Sequence, residues 1–398
     1  MLGGRLRDLI AGDGDPAQAL PGCAWTIIRH HRIAQSGAVG LADPRTHRPL
    51  RPTTPMRIAS LSKISTSLLV MRLIDARRLS LETDASDVLG FTLRNPAFPD
   101  TPIRVRHLIS HTSSMRDGEV YWAGLGERIA DFFIPGASHW EKGAHWAPDH
   151  RPGAYFTYCN LAFGILAAIV EKIEGQRFDL VAHEKLFAPL ELECGFNWGE
   201  CPREFIAQGS PVWRLSPAGW TPQVDDPLPV DRGAVYLNPN NLPLSEYRLG
   251  DNGLLFAPQG GLRASGRDLA RLGCLLLDNG APLLSDAIVA QMRTPVWTYD
   301  GANGETENGF WRGYGLGLQL IDPGAGSPLP DQRRRLIGHS GDAYGLRGGL
   351  WLDMETGAGF SFLFNGGPED GARASGAHSA FSRPEEAIMQ ELYARLDN

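Results

Sequence analysis

The stretch Arg57-Ile58-Ala59-Ser60-Leu61-Ser62-Lys63 marks the point where the sequence changes from a strand-like to a helical pattern. Residues 22–60 alternate short apolar runs with polar turns, which predicts a β-hairpin or meander. From Leu61 onward, apolar residues recur three and four positions apart, which predicts a helix with one buried face. Ser60 therefore stands at the start of a helix, and Lys63 follows it by one turn.

This spacing suits nucleophilic chemistry. Side chains three positions apart share one face of a helix, so the Lys63 amine can reach the Ser60 hydroxyl. A lysine can take the serine proton if its pKa is lowered, whereas arginine cannot, and only four of the 38 basic residues are lysines. The N–H groups at the helix start suit an oxyanion on the attacked carbonyl. For this motif alone, the alternative is a serine helix cap with a solvent-facing lysine.

A second candidate pair, Tyr158 and Asn160, precedes an apolar run that predicts a buried helix over residues 160–174, ended by Gly175. Alternate residues of an extended segment share a face, so the two side chains can point the same way. A nearby lysine cation favours the phenolate, so we expect Tyr158 to move protons while Asn160 holds the Lys63 amine. The alternative is a packed tyrosine and an asparagine helix cap.

The third element is Gly338-His339-Ser340-Gly341-Asp342, just before a strand-like run at residues 346–352. Small residues on an edge strand let a substrate backbone approach, and a main-chain N–H there can complete an oxyanion hole with that of Ser60. Asp342 stands where a nucleophile elbow requires glycine, so an elbow is not expected. The candidate oxyanion and substrate-binding residues are Ser60, His339, Ser340, Gly341 and Asp342.

Taken in order, these motifs resemble those of the penicillin-recognising serine hydrolases. The S-x-x-K motif is at Ser60 and Lys63, Y-x-N is at Tyr158 and Asn160, and H-x-G begins at His339. The pattern is similar to class C β-lactamases and the related esterases, D-aminopeptidases and D-amino acid amidases. Residues 105–113 and 259–265 resemble two flanking words of the family, R-H-L-L-T-H-T-S-G and G-G-L-x-S.

Strand-like runs lie at both ends of the chain with a mainly helical block between them, which predicts an α+β fold. The resemblance implies the same division: an antiparallel sheet flanked by helices, an all-helical lobe, and an active site between them. We assign the sheet domain to residues 1–75 and 235–398, and the helical lobe with long loops to residues 76–234.

The resemblance also implies the chemistry, which is attack by Ser60 on an ester or amide, formation of an acyl-enzyme, and hydrolysis by water. Lys63 and Tyr158 share proton transfer in this scheme, and we treat them as a coupled pair in which either could be the base. No cofactor is implied.

One departure from the family pattern concerns the substrate. β-Lactamases and transpeptidases usually carry a lysine where His339 stands, and its fixed cation helps to bind the substrate carboxylate. Histidine is mostly neutral near pH 7, so weaker carboxylate recognition is expected. The sequence thus favours an esterase, amidase or D-peptidase. The alternatives are a class C-like β-lactamase, a D-Ala-D-Ala carboxypeptidase, and a catalytically silent binding or scaffold protein of the same fold.

Composition limits the partners. With a net charge of −7 and interspersed charges, the chain is not expected to bind nucleic acid, and a small ester, amide or short peptide is the expected partner. No run approaches the ~18 apolar residues of a membrane span. Residues 1–20 lack a signal-peptide core, so we expect a cytoplasmic protein, with a processed periplasmic form as the alternative.

The histidines match no metal-ligand spacing, so no metal is expected. The five cysteines leave it undecided whether Cys194 and Cys201 form a disulfide, and the oligomeric state is undecided as well.

Residues 196–250 are expected to form long loops or a lid, and residues 262–277 a helix. Trp122, Trp140 and Trp146 are candidates for the wall of the acyl pocket.

Overall fold

The elements of the computed structural model are described for residues 2–229, 243–368 and 373–396. The strands are β1 (Gly22–Arg29), β2 (Arg32–Asp43), β3 (Arg48–Pro49), β4 (Met56–Arg57), β5 (Gly195–Phe196), β6 (Val212–Ser216), β7 (Gly219–Val224), β8 (Leu262–Ala264), β9 (Trp297–Thr298), β10 (Gly313–Tyr314), β11 (Gln319–Ile321), β12 (Leu336–Ala343), β13 (Leu346–Asp353), β14 (Ala358–Phe364) and β15 (Gly366–Pro368). The α-helices are α1 (Leu2–Ile10), α2 (Ser62–Asp75), α3 (Ala85–Leu89), α4 (Val105–Ile109), α5 (Asn160–Glu174), α6 (Phe178–Ala182), α7 (Arg203–Ala207), α8 (Gly266–Leu277), α9 (Asp286–Arg293) and α10 (Arg383–Tyr393).

The main sheet is built from both ends of the chain. Its nine strands follow the order β3-β2-β1-β14-β13-β12-β11-β10-β9, and neighbouring strands are antiparallel. In the middle of the sheet β1 pairs directly with β14, with Cys23 opposite Phe364 and Ile28 opposite Gly359. The predicted α+β fold with an antiparallel sheet is therefore confirmed.

Helices cover both faces of this sheet, because alternate residues of a strand point to opposite sides. Trp25 and Ile27 of β1 pack into one apolar cluster with α1 and α10. Ala24 and Ile28 belong to the larger cluster on the other side, which contains residues of α2, α5 and α8. Full burial of one such large side chain contributes about 1.5–3 kcal/mol, so both faces are substantial cores.

Helix α5 is the central helix of the helical part and contacts α2, α3, α4 and α6. Residues 161–171 are all buried, which confirms the sequence prediction of a buried helix. The helix ends at Gly175, which adopts a left-handed conformation with φ +68°. Glycine suits this position because it has no Cβ to clash in that conformation.

Two local expectations are wrong. Residues 262–277 do not form one helix, because Ser265 separates β8 from α8 and its hydroxyl accepts from the Asp268 N–H. Residues 196–250 contain α7 and the β6–β7 hairpin rather than loops alone, and residues 230–242 of that stretch lie outside the described residues. The apolar spacing continues across Ser265 and so does not reveal the first boundary, whereas residues 196–250 show too little periodicity to predict these elements.

The strands within residues 195–224 bear on the expected limits of the two domains, which remain a prediction. β6 pairs in parallel with β15, and β5 pairs with β8, so part of the expected helical lobe joins strands from the C-terminal half. The expected boundary at residue 235 lies outside the described residues.

Among the helices of the described ranges, none has the length and hydropathy of a membrane span. Cys194 and Cys201 are buried free thiols.

Candidate active site

Ser60 lies in a short 3₁₀ turn, Ala59–Leu61, that leads into α2. The turn is held from the neighbouring strand: the Ile58 N–H donates to the Leu262 carbonyl, and the Leu262 N–H donates to the Ser62 hydroxyl. Ala59 adopts a left-handed conformation with φ +50°, which is strained for a residue with a Cβ. Backbone strain of this kind is often found where a side chain is presented to a substrate.

The Ser60 hydroxyl is not used as a helix cap. Neither the 3₁₀ turn nor α2 has a side-chain cap, and the hydroxyl that bonds the local backbone belongs to Ser62, which donates to the Ala59 carbonyl at 2.6 Å. Lys63 is completely buried and points its amine at Ser60. The alternative of a capping serine beside a solvent-facing lysine is therefore wrong.

The Lys63 amine has three partners. Nζ donates to the Ser60 hydroxyl at 3.1 Å, to Asn160 Oδ1 at 2.6 Å and to the Gln259 carbonyl at 3.0 Å. Burial lowers the pKa of Lys63 to about 7, while the charge of Asp117 acts in the opposite direction. At neutral pH a large fraction of this amine is therefore uncharged and able to accept a proton.

These partners also decide where the lone pair of the neutral amine points. A carbonyl oxygen only accepts hydrogen bonds, so the two remaining N–H bonds of neutral Lys63 are directed to Asn160 Oδ1 and the Gln259 carbonyl. A hydroxyl can donate as well as accept. The lone pair is thus left facing the Ser60 hydroxyl, which is the arrangement that a general base requires.

Tyr158 is partly buried beside this pair. The Lys63 Nζ lies 4.7 Å from the centre of its ring, and the ring stacks on Trp311 at 4.4 Å between centroids. Burial raises the pKa of Tyr158 well above its usual value, with the Ser60 hydroxyl acting the other way. The expected stabilisation of its phenolate is therefore wrong in direction, and Tyr158 is a neutral phenol.

Asn160, the first residue of α5, is held by side chains that sequence reasoning missed. Its Nδ2 donates to Asp117 Oδ2 at 2.8 Å, and the N–H of the preceding Cys159 donates to His111 Nδ1 at 3.1 Å. His111 lies in one of the flanking words quoted above, but no periodicity or spacing marks Asp117. Both residues reach the site only through the folding of the segment between α4 and α5.

The H-x-G motif lies within β12, which runs beside the Ser60 turn. β12 is an interior strand of the sheet, contrary to the expected edge, but within the described residues its pairing with β11 covers only residues 336–338. A Cβ on Gly341 would lie 2.6 Å from the Ile58 carbonyl oxygen, so only glycine lets the strand and the turn approach this closely. The Ser340 hydroxyl donates to Gln319 Oε1 at 2.8 Å.

His339 is completely buried and both of its ring nitrogens are occupied. Nδ1 lies 2.6 Å from the Ser340 carbonyl and must donate to it, so Nε2 accepts from the Tyr314 hydroxyl at 3.0 Å. Burial, with a smaller effect of Lys63, lowers the pKa of His339 to about 3. The expectation of a neutral histidine is confirmed, but its ring offers no free nitrogen to a substrate.

The cavity in front of Ser60 has a volume of about 380 Å³. Ser60, Tyr158 and Ser340 lie in its wall, as the sequence leads one to expect of site residues, and Asp342 lies at its margin paired with Arg347 and Arg373. Aromatic surface comes from Trp311 and Phe310, and a further carboxylate from Glu307. The three tryptophans expected there are not among the described residues that line this cavity: Trp146 is buried in the larger apolar cluster, Trp140 packs against that cluster, and Trp122 is half exposed.

The family model described as Beta-lactamase matches residues 6–383. The chain therefore belongs to the Beta-lactamase family, and the resemblance drawn from its motifs is confirmed. The match covers nearly the whole chain and includes Ser60 and Lys63.

Curated relatives have several different names. The chain is 28% identical to Penicillin-binding protein 4 of Amycolatopsis lactamdurans over 70% of its own length and 66% of the relative's. It is 29% identical to Esterase EstB of Burkholderia gladioli, covering 54% of this chain and 57% of that one. It is 27% identical to D-aminopeptidase of Brucella canis, covering 52% and 41%. The matches thus span between 41% and 66% of these relatives.

Solved structures share the fold over the full length. EstCE1, a hydrolase with promiscuous acyltransferase activity, superposes with a TM-score of 0.69 and 20% identity, with 98% of each chain covered. D-amino acid amidase from Ochrobactrum anthropi SV3 in complex with D-phenylalanine gives a TM-score of 0.67 and 18% identity, with 100% of this chain and 98% of that one covered. At these identities the likeness establishes the fold alone.

Proposed function

We propose that this protein is a serine hydrolase that cleaves esters or amides through a covalent acyl-enzyme on Ser60. The observation that carries the proposal is the buried Lys63 amine: among its hydrogen-bond partners in the described part of the chain, the Ser60 hydroxyl is the one that its lone pair can face in the neutral form. Membership of the Beta-lactamase family and relatives named esterase and D-aminopeptidase support the same chemistry.

In the first step, the Ser60 oxygen bonds to the substrate carbonyl carbon and its proton passes to Lys63 Nζ. The tetrahedral intermediate then collapses, the bond to the leaving alcohol or amine breaks, and the leaving group takes a proton from Lys63, directly or through Tyr158. Water attacks the acyl carbon and gives a proton to the same base. The acyl bond breaks, and Ser60 recovers its proton.

Two further roles follow from the geometry. The neutral Tyr158, held between Lys63 and the Trp311 ring, is suited to pass a proton to the leaving group. Main-chain N–H groups of Ser60 and of β12 near Gly341 are the candidate oxyanion hole, because the glycine lets these two backbones approach. One such donor typically contributes 10²–10³-fold to a rate.

The proposal favours substrates without an essential carboxylate. The His339 ring is neutral and its nitrogens are already bonded, so it supplies no cation for a carboxylate. The cavity also carries the carboxylates of Glu307 and Asp342, the second of which is paired with arginines. Esters, amides and short D-peptides are therefore proposed ahead of β-lactams.

The test is covalent labelling with a fluorophosphonate, followed by mass spectrometry of the peptide that contains Ser60. We expect one adduct on Ser60 that is absent from Ser60→Ala. No adduct, or the same adduct in the variant, would favour the alternative of a catalytically silent binding protein.

A substrate panel then separates the enzyme classes: p-nitrophenyl acetate, D-alanine p-nitroanilide and nitrocefin. We expect the ester or the amide to have the highest kcat/KM. If nitrocefin were the best of the three, the argument from His339 would be overturned and a β-lactamase would be the better description.

A further inference from the structure

Asp117 lies outside all of the sequence motifs, yet its carboxylate meets the start of α5. Oδ2 accepts from Asn160 Nδ2 at 2.8 Å, and Oδ1 accepts from the Leu161 N–H at 2.9 Å. The residue in the cap position of this helix, Cys159, makes no side-chain cap bond. Asp117 therefore supplies the helix cap from another segment, and one carboxylate holds both the backbone of α5 and the Asn160 amide.

This contact fixes which way the Asn160 amide points. An amide has a donor end and an acceptor end, and a carboxylate can only accept. With Nδ2 bound to Asp117, Oδ1 must face Lys63, as the 2.6 Å bond shows. If the amide turned over, its NH₂ group would face the neutral lysine and compete with Ser60 for the lone pair.

Asp117 also sets the charge around Lys63. Burial raises the pKa of Tyr158 and Cys159 and lowers that of His111 and His339, so these groups are neutral near pH 7. Burial also raises the pKa of Asp117 from its usual low value, while its hydrogen bonds and Lys63 favour the charged form. The titratable groups that act on Lys63 or lie against it are Asp117, Cys159, Tyr158, His111 and His339.

We propose that Asp117 is a positioning residue of this site: through Asn160 it fixes the orientation in which the Lys63 amine presents its lone pair to Ser60. The proposal rests on the proposed function of Ser60 and Lys63. Three hydrogen bonds join Asp117 to Asn160, Asn160 to Lys63 and Lys63 to Ser60, and the proposal assigns a donor and an acceptor to each of them.

The titration of Lys63 tests the electrostatic part of this proposal without turnover. The protein has four lysines, so labelling the lysine Cε with ¹³C gives few NMR resonances, and that of Lys63 is assigned by its loss in Lys63→Arg. In Asp117→Asn the anion that favours the ammonium is gone. We expect the midpoint of the Lys63 titration to fall by on the order of one pH unit.

The rate of Ser60 labelling tests the positioning part. A lower midpoint leaves more neutral lysine near pH 7, so loss of charge alone would speed fluorophosphonate labelling or leave it unchanged. Loss of the amide orientation would slow it. We expect Asp117→Asn to label on the order of 10- to 100-fold more slowly on the plateau above the midpoint, where Lys63 is neutral in both proteins.

Asp268→Asn is the matched control, because Asp268 is also a buried carboxylate that accepts from a backbone N–H at the start of a helix, with a pKa raised by burial. It should lose stability without moving the Lys63 midpoint or the labelling rate. Asp117→Ser is a second variant that keeps an oxygen near the start of α5 but no charge, in case Asp117→Asn does not fold. It should lower the Lys63 midpoint and slow labelling in the same way.

A folded variant with the native Lys63 midpoint and the native labelling rate would overturn the proposal. A lower midpoint with faster or unchanged labelling would overturn the positioning role and leave only a charge effect. If the native protein itself is not labelled at Ser60, the proposed function fails, whereas the NMR titration still reports whether Asp117 acts on Lys63.

Discussion

Helices α2 and α8 both begin near a serine that is followed three residues later by a charged residue, and the two serines have different surroundings. At the start of α8, Ser265 and Asp268 form a capping box: each side chain accepts from the backbone N–H of the other residue. At the start of α2, the Ser60 hydroxyl caps nothing and meets the buried Lys63 amine.

The difference shows how a helix start becomes a reactive site. The hydroxyl of a capping serine accepts a hydrogen bond from a backbone N–H in the first turn of its helix and so stabilises the helix. Ser60 is displaced into a 3₁₀ turn with the left-handed Ala59 before it, while Ser62 makes the bonds to the backbone. The hydroxyl of Ser60 is therefore available for chemistry.

The largest effect is expected from Lys63→Arg. Arginine keeps the positive charge but does not lose its proton, so kcat/KM for the best ester should fall about 10²–10⁴-fold, the range typical of a general base. Lys172→Arg, at a partly exposed position of α5, is the matched control and should remain fully active. Activity retained in Lys63→Arg would mean that Lys63 acts only as a charge. The start of α2 would then not differ from that of α8 by having a general base.

A smaller loss is expected from Gly341→Ala. The new Cβ would meet the Ile58 carbonyl at 2.6 Å, so β12 and the Ser60 turn must move apart. A shift of this kind should lower kcat on the order of 10- to 100-fold with little change in KM. Gly3→Ala is the control, since nothing lies within 4 Å of its Cβ. Unchanged kcat in Gly341→Ala would argue against an oxyanion hole between these segments.

The rate of Ser60 acylation at the start of α2 should depend on pH, because Lys63 must be neutral to act as the base. The reactive form has neutral Lys63, and its pKa is lowered to about 7, so the rate of Ser60 acylation should be full above that pH. Below it, the rate should fall about tenfold per pH unit as the ammonium forms. A pH-rate profile of kcat/KM measures this. An acylation rate that does not change between pH 5 and pH 8 would contradict Lys63 as the base.

The smallest effect concerns stability. Ser265→Ala should lower the free energy of unfolding in urea by about 1 kcal/mol, the typical contribution of a serine cap, and leave kcat/KM unchanged. Ser60→Ala should change the stability by less than about 0.5 kcal/mol and abolish acylation. If Ser60→Ala proved as destabilising as Ser265→Ala, Ser60 would have a structural role that its hydrogen bonds do not indicate.

Local pattern was enough to find the parts of the site that lie close together along the chain. The separation of Ser60 and Lys63 by three positions fixed their contact, because helix geometry is set by the backbone. The apolar run after Asn160 and the Gly175 that ends it fixed α5 in the same way. Local pattern failed at Ser265, where a polar cap interrupted an apolar spacing that continued on both sides.

The sequence by itself determined the family, the α+β fold and the identity of the nucleophile and its lysine, because these depend on short-range spacing and on motif order. Tertiary structure decided the electrostatics: the lowered pKa of Lys63, the raised pKa of Tyr158 and the enclosed His339 ring. It also brought Asp117 to the Asn160 amide and the Gln259 carbonyl to the Lys63 amine. Burial and hydrogen bonds between distant segments produce these effects, and neither can be read from spacing along the chain.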